Sequence, residues 1–542
     1  MGTGQASKSG ITATATKNGV AKLGLDRNKE GIVNIAFSDD TLSIKGANPD
    51  GNVEVGKISR RSSVVVEGVA AAQRNSEDIP TYGTQVLGMA VAALAYVGIG
   101  TISGFSGGML PLLTDSENDI QLDKYRVGLF TSVINLGAAA GCIVGGFPHV
   151  MVGHRSYLLV ALPLSLAAWI ILAMSHDIWV VLSARAFLGF TMGVIVFTSS
   201  KYVAECAHDS VREKLVNALE TSRQFGYFFV YAVCCSDLSW RELALVCGCV
   251  STILPFIGFL YVPSAPKWLA THGRVDHAYD SLVFFRGQHY DSRKELNAIL
   301  DKLSKTEGAD NALYQLRQLK DPIILRFVVL FAFIHFASQF NGNVVTGAYA
   351  IYIFKAADVS SISPYVSMVV VGLARVLSTL FYLVEVERVG RKPLVIVPFF
   401  LAGASLFVLG AFFYAQATGG AFGELEWVPV TALSFFSFFS NIGFPVLNLT
   451  RGELLPPVAR STGGAILYAT YYFGGFAASL SFSYIVSAIG MHGTFWIYCF
   501  VNILVVVVDY LDLPETRGRS LEEIMEEQRH EGASPSHHDH AS

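Results

Sequence analysis

The stretch Glu205–Arg212, ECAHDSVR, closes a long apolar run, and its pattern returns at Glu453–Arg460, ELLPPVAR. Each copy holds a glutamate, six intervening residues and an arginine, in a chain where charge is scarce. Only 15% of the 542 residues are charged and 52% are hydrophobic, whereas a soluble protein carries about a quarter charged residues. A second echo pairs VGHR at Val152–Arg155 with VGRK at Val389–Lys392. Partners in both echoes lie about 240 residues apart, the mark of a duplicated unit.

Apolar segments long enough to cross a ~30 Å hydrocarbon core recur on either side of these charges. They fall at 84–111, 126–148, 156–174, 177–204, 216–235 and 241–262, then at 326–354, 363–386, 393–415, 427–450, 462–488 and 492–512. Twelve spans in two sets of six predict an all-α membrane protein, because lipid offers no partner for free backbone groups and nothing alternates as a barrel strand would. The 50 glycines and 37 phenylalanines suit closely packed membrane helices.

The domain reading follows. Residues 1–82 are rich in Gly, Ser, Thr, Asn and charge and predict a disordered tail. Residues 83–262 form one six-helix bundle, 263–325 a polar helical linker, 326–512 the second bundle, and 513–542 a C-terminal tail. Lys and Arg gather at 201–214, through the central loop, at 388–392, at Arg460 and at Arg517/Arg519, while the loop PLLTDSENDIQLDK at 112–125 is mainly acidic. The positive-inside rule then places both termini and the linker in the cytoplasm.

Several classes are excluded. The net charge of −4 and the lack of a basic patch with interleaved aromatics point to no nucleic-acid partner. Seven cysteines, mostly inside apolar runs, suit neither a zinc site nor a disulfide framework. GFSGG and GGAIL do not sit between a strand and a helix, so neither is a phosphate loop. No catalytic triad or metal cluster is visible, and neither an enzyme nor a cofactor is expected. Two-fold repeats of this kind mark transporters, with the solute held near the midplane between the halves. Carboxylates and guanidiniums at one rim can pair between bundles, closing that side, and can rehydrate when the bundles part. The same charges could instead only anchor helix ends in the headgroup layer.

Over about residues 84–528 the chain resembles the sugar-porter family of the major facilitator superfamily, and most of all its arthropod trehalose- and hexose-transporter branch. The resemblance rests on Arg185-x3-Gly189, YVAECAHDSVR at Tyr202–Arg212, PSAPKWL at Pro263–Leu269, SQFNGN in the seventh segment, ERVGRK at Glu387–Lys392, GELLPPVAR at Gly452–Arg460 and PETRGRSLEEI at Pro514–Ile524. It implies a twelve-helix fold of two pseudo-symmetric bundles that moves a sugar by alternating access, in the plasma membrane. It also implies an inner latch of Arg185, Glu205, Arg212, Glu387, Arg388, Arg391, Glu453 and Arg460, with Glu515 in the tail.

The family's sugar-contacting positions are less faithfully kept. Its paired glutamines in the seventh segment become Ser338 and Gln339, and its asparagine past Gly342 becomes Val344, with Asn343 displaced by one. The fifth-segment glutamine aligns to Glu220, with Gln224 one turn on. The tenth-segment tryptophan becomes Asn448 while Pro445 is kept, and Tyr471 and Tyr472 replace an asparagine–tryptophan pair. Arg375 stands where the family has asparagine, about three turns from the rim. An intramembrane arginine is costly and either lines a cavity or pairs with an acid. Glu220, Glu385 and the cavity are its candidate partners. The substrate set is therefore Gln339, Asn343, Tyr349, Asn448, Gln224, Tyr471 and Arg375, since polyols need donors, acceptors and an aromatic face. Proton-coupled members carry an acid where this chain has Ser106, so facilitated diffusion is expected, although Glu220 could carry a proton. The expected partners are a small sugar and membrane lipid; no feature speaks to oligomeric state. Two other readings stay open: a same-fold carrier of another solute, such as an organic anion held by Arg375, and a non-transporting nutrient sensor.

Overall fold

The computed structural model describes residues 11–15, 21–25, 33–38, 41–47, 53–59, 82–113, 123–146, 152–236, 238–305, 321–358, 362–386, 388–419, 425–454 and 460–512. These fall into two units. The smaller comprises residues 1–80 together with His289–Asp291. There β1 (Ile11–Ala15) pairs antiparallel with β2 (Ala21–Leu25), and β3 (Val33–Ser38), β4 (Thr41–Ala47) and β5 (Val53–Ser59) form an antiparallel meander. Polar and apolar residues alternate in VNIAFS and TLSIKGA, the period-two pattern that suits a strand.

The larger unit is helical. The first six segments form α1 (Tyr82–Leu113), α2 (Lys124–Gly146), α3 (His154–Met174), α4 (Ile178–Cys206), α5 (Arg212–Val233) and α6 (Trp240–Tyr261). Local chemistry sets several starts. Asp177 caps α4 by accepting from Trp179 N at 2.9 Å, and Ser239 with Glu242 forms a capping box on α6. Three short helices follow, α7 (Pro266–Thr271), α8 (Val275–Arg286) and α9 (Ser292–Lys305), around a small core of Leu269, Ala270, Ala278, Leu282 and Leu296. The second half comprises α10 (Pro322–Ser338), α11 (Asn343–Ala348), α12 (Ala350–Ala356), α13 (Pro364–Glu385), α14 (Arg391–Ala417), α15 (Trp427–Leu454) and the continuous run α16 (Arg460–Asp512).

Ten helical stretches among the described residues are long and apolar enough to cross a membrane. They correspond to eleven of the expected segments, because α16 holds two. Gly490, at φ 74°, breaks it, and Gly474 before the break and Tyr498 after it both pack on residues 336–342. In a straight helix those two would stand about 36 Å apart, so the chain folds back at the glycine. The remaining expected segment, the fifth, is α5, whose Glu213, Lys214, Glu220 and Arg223 make it amphipathic rather than uniformly apolar.

The seventh segment is not the single helix expected over 326–354. After α10 a 3-10 turn at Gln339–Asn341 leads to Gly342 at φ 96°, and the helix resumes as α11 and α12. Asn341 Oδ1 accepts from Asn343 N at 2.8 Å, a local turn that holds the break just before the helix resumes. Within the first bundle α2 and α4 lie backbone to backbone: a methyl at Gly137 would strike Ala186 O, and one at Gly189 would strike Ile134 O. That contact gives the glycine of Arg185-x3-Gly189 its reason.

Two of the seams between the bundles mirror each other. In one, α2 packs on the first half of α16, through Gly128 with Leu480, Asn135 with Gly475, and Gly146 with Ala465. In the other, α5 packs on α13, where Gly372 lies against Phe228 and Tyr231. The second and eighth segments are counterparts under the duplication, and so are the fifth and eleventh. Second-with-eleventh therefore mirrors eighth-with-fifth, and the interface obeys the repeat read from the sequence.

Candidate functional site

The seam between α5 and α13 carries a chain of buried polar groups. Arg223 Nε donates to both carboxylate oxygens of Glu220 at 3.0 Å, and its Nη2 also bonds Glu220 Oε1. Gln224, fully buried one turn further, donates from Nε2 to Glu220 Oε1 at 2.8 Å. Its own Oε1 accepts from Arg375 Nε at 3.0 Å, joining the bundles. The Arg375 guanidinium stands 4.5 Å from the Tyr227 ring centroid. Of the candidate partners for Arg375, Glu220 is thus reached through Gln224, and Glu385 lies instead 3.6 Å from Arg388. Glu220 and Arg223 also line a cavity with Tyr96, Val196, Phe444, Pro445, Tyr468, Tyr471 and Tyr472.

The broken seventh segment supplies a second group of polar atoms. Gln339 and Asn343 are buried, and Gln339 Nε2, Asn341 Nδ2 and Asn343 Oδ1 have no hydrogen-bond partner among the described residues. Gly474 lets the eleventh segment close on Gln339. Further along, the Tyr349 hydroxyl lies 2.7 Å from Thr131 Oγ1 and donates to Ser479 O at 3.2 Å, tying three segments together. Tyr471 presents its ring to the cavity, 5.2 Å from Phe444. Only the backbone of Asn448 is described.

The rim charges divide differently from the expected latch. Arg185 does not lie with Glu205: twenty residues of α4, about 30 Å, separate them. It is fully buried, with Nη1 donating to Ile102 O at 3.3 Å, Nη2 bonding Ser106 Oγ and its guanidinium 4.6 Å from the Phe130 centroid. Glu205 sits 3.4 Å from His154 Nε2, joining the end of α4 to the VGHR stretch. Arg212 bonds Asp209 at 2.5 Å and Ala204 O at 2.8 Å, closing the same helix end. Glu387 and Glu515 lie outside the described residues, and for Arg391, Glu453 and Arg460 only the backbone is described, so the second-half latch stays an expectation.

Sequence reasoning missed Arg223, Tyr227, Asn341 and His154. Arg223 had a signal in its three-residue spacing from Glu220, which places both on one helix face. Asn341 had one in the turn-forming Asn-Gly-Asn run.

Residues 86–527 match the family model described as sugar (and other) transporter. The chain belongs to that family. Its members are carriers rather than enzymes, and the chain is an integral membrane protein. It is 29% identical over 456 residues to a facilitated trehalose transporter of Apis mellifera ligustica, covering 82% of this chain and 88% of that one. It is 27% identical over 454 residues to one from Polypedilum vanderplanki, covering 81% and 87%. Among solved structures it superposes on the inward-open xylose transporter XylE of E. coli with a TM-score of 0.67 at 21% identity, over 81% of this chain and 98% of that one. XylE bound to 6-bromo-6-deoxy-D-glucose gives 0.66 at 22% identity, over 82% and 98%. The fold is that of the major facilitator superfamily.

Proposed function

We propose that this carrier moves a sugar, trehalose or a hexose, across the plasma membrane by facilitated diffusion. The observation that carries the reading is the set of buried polar atoms without a hydrogen-bond partner among the described residues: Gln339 Nε2 and Asn343 Oδ1 in the broken seventh segment and Arg375 Nη1 at the seam. Leaving such a group dry costs about 1–3 kcal/mol. A polyol supplies both donors and acceptors, and the Tyr471 ring offers a flat face in the cavity lined by Glu220 and Arg223. The names of the insect relatives support the same substrate class. Ser106, facing Arg185 where an acid would serve proton coupling, favours passive transport. The distribution of loop Lys and Arg supports cytoplasmic termini, and Glu205, Arg212, Glu387, Arg388, Arg391, Glu453 and Arg460 serve as the inner closure.

Purified protein in liposomes tests this directly. Saturable uptake of labelled trehalose or glucose, with counterflow and no response to an imposed proton gradient, is the expected result. Flux that requires the gradient refutes passive transport, and no saturable flux of any sugar refutes the carrier reading.

A further inference from the structure

The polar chain at the seam does not balance its charge. Arg223 and Arg375 are fixed cations, and Glu220 is the acid between them. Glu220 is engaged by Arg223 and by the Gln224 amide. Among the described residues, the Arg375 guanidinium meets the neutral Gln224 carbonyl and the face of Tyr227. It is 2% exposed, its Nη1 has no hydrogen-bond partner, and no carboxylate pairs with it among the described residues. A buried guanidinium left in this way is strongly unfavourable. The residue opposite Nη1 is Gly347, where an added Cβ would lie 3.8 Å away in ordinary contact, so a carboxylate reaches Nη1 only when the seventh segment draws back from the seam. Gly347 belongs to the resumed part of the broken seventh segment, and its carbonyl is held by the Tyr231 hydroxyl at 2.9 Å.

We propose that the transported sugar bears a carboxylate, as uronic and aldonic acids do, and that Arg375 binds it through Nη1. The inference rests on the sugar-carrier reading and narrows it. A planar guanidinium matches a carboxylate in shape and charge, and the neutral hydroxyls would meet Gln339 and Asn343. Gln224 is the positioning residue that aims Arg375.

Liposomes containing the full chain, offered labelled D-glucuronate, D-glucose and trehalose, test it. Glucuronate is expected to show a kcat/KM roughly ten- to hundredfold above glucose, the factor for one hydrogen bond to a charged group. Its uptake should quicken when the interior is made positive, since a net charge crosses. In Arg375→Gln the glucuronate-to-glucose ratio should fall to near one, with Arg375→Lys keeping part of the preference. The wild-type ratio decides alone if either variant misfolds. Saturable glucose or trehalose flux that a tenfold excess of glucuronate does not inhibit overturns the proposal while the sugar-carrier reading stands. Glucose flux that rises with chloride also overturns it, assigning Arg375 to an inorganic anion. Absence of all saturable flux removes both readings together.

Discussion

Glu220 and Arg223 are three residues apart on α5 and face the same cavity. Removing the acid alone leaves two guanidiniums and an amide with nothing negative to hold. Glu220→Ala is therefore expected to destabilise the protein by about 3–5 kcal/mol, and the double change with Arg223→Met by markedly less, because it is the unpaired charge that is costly. Thermal unfolding in detergent measures both. At Tyr349 one hydroxyl joins α2, the seventh segment and the eleventh. Tyr349→Phe should cost about 1–2 kcal/mol in the same measurement, one ordinary hydrogen bond or two. Arg375 was legible in the sequence because an arginine inside an apolar run is conspicuous. Its partner was not, since the spacing of Glu220 and Gln224 fixes a shared helix face without saying which helix that face meets. Arg185 shows the opposite error. Its motif drew it to the rim, although the residue count along α4 already placed it elsewhere.

Hydropathy found the seventh segment but not its interruption, because apolar content is blind to φ. The break depends on Gly342 at φ 96°, packed under the Tyr498 ring. A side chain in that left-handed region costs about 1–2 kcal/mol, so Gly342→Ala should lower stability by that amount and disturb Gln339 and Asn343 at once. A rise in KM accompanying the lost stability is the expected pattern; unchanged kinetics would separate the break from binding. α5 shows why apolarity alone undercounts spans. Within the span its charges, Glu220 and Arg223, turn inward to the cavity, so the helix can cross lipid without being apolar all round.

For the molecule as a whole, the repeated Glu-x6-Arg and VGxR stretches made two related halves legible, and the duplication explains why the second segment meets the eleventh and the fifth meets the eighth. The geometry of the latch was not legible, because a matched motif says nothing of whom its charges face: Glu205 turns to His154 within its own bundle. If the halves rock about the seam, both ends of α2 must part from α16 by turns. Cysteines replacing Gly146 and Ala465, or Gly128 and Leu480, should cross-link, stop transport and release it on reduction. Transport that survives either cross-link would mean the bundles do not separate there.

The three short linker helices have described ties to the first bundle. Arg286 Nη1 holds Cys206 O at 2.7 Å, Tyr202 holds Pro263 O at 2.7 Å, and Thr84 holds Phe285 O at 3.1 Å. A fluorophore placed on α8 or α9 would accordingly travel with that half as a passenger. Energy transfer from it to a dye on the end of α14 would then register each swing of the carrier as a change in brightness, with nothing attached to the substrate path.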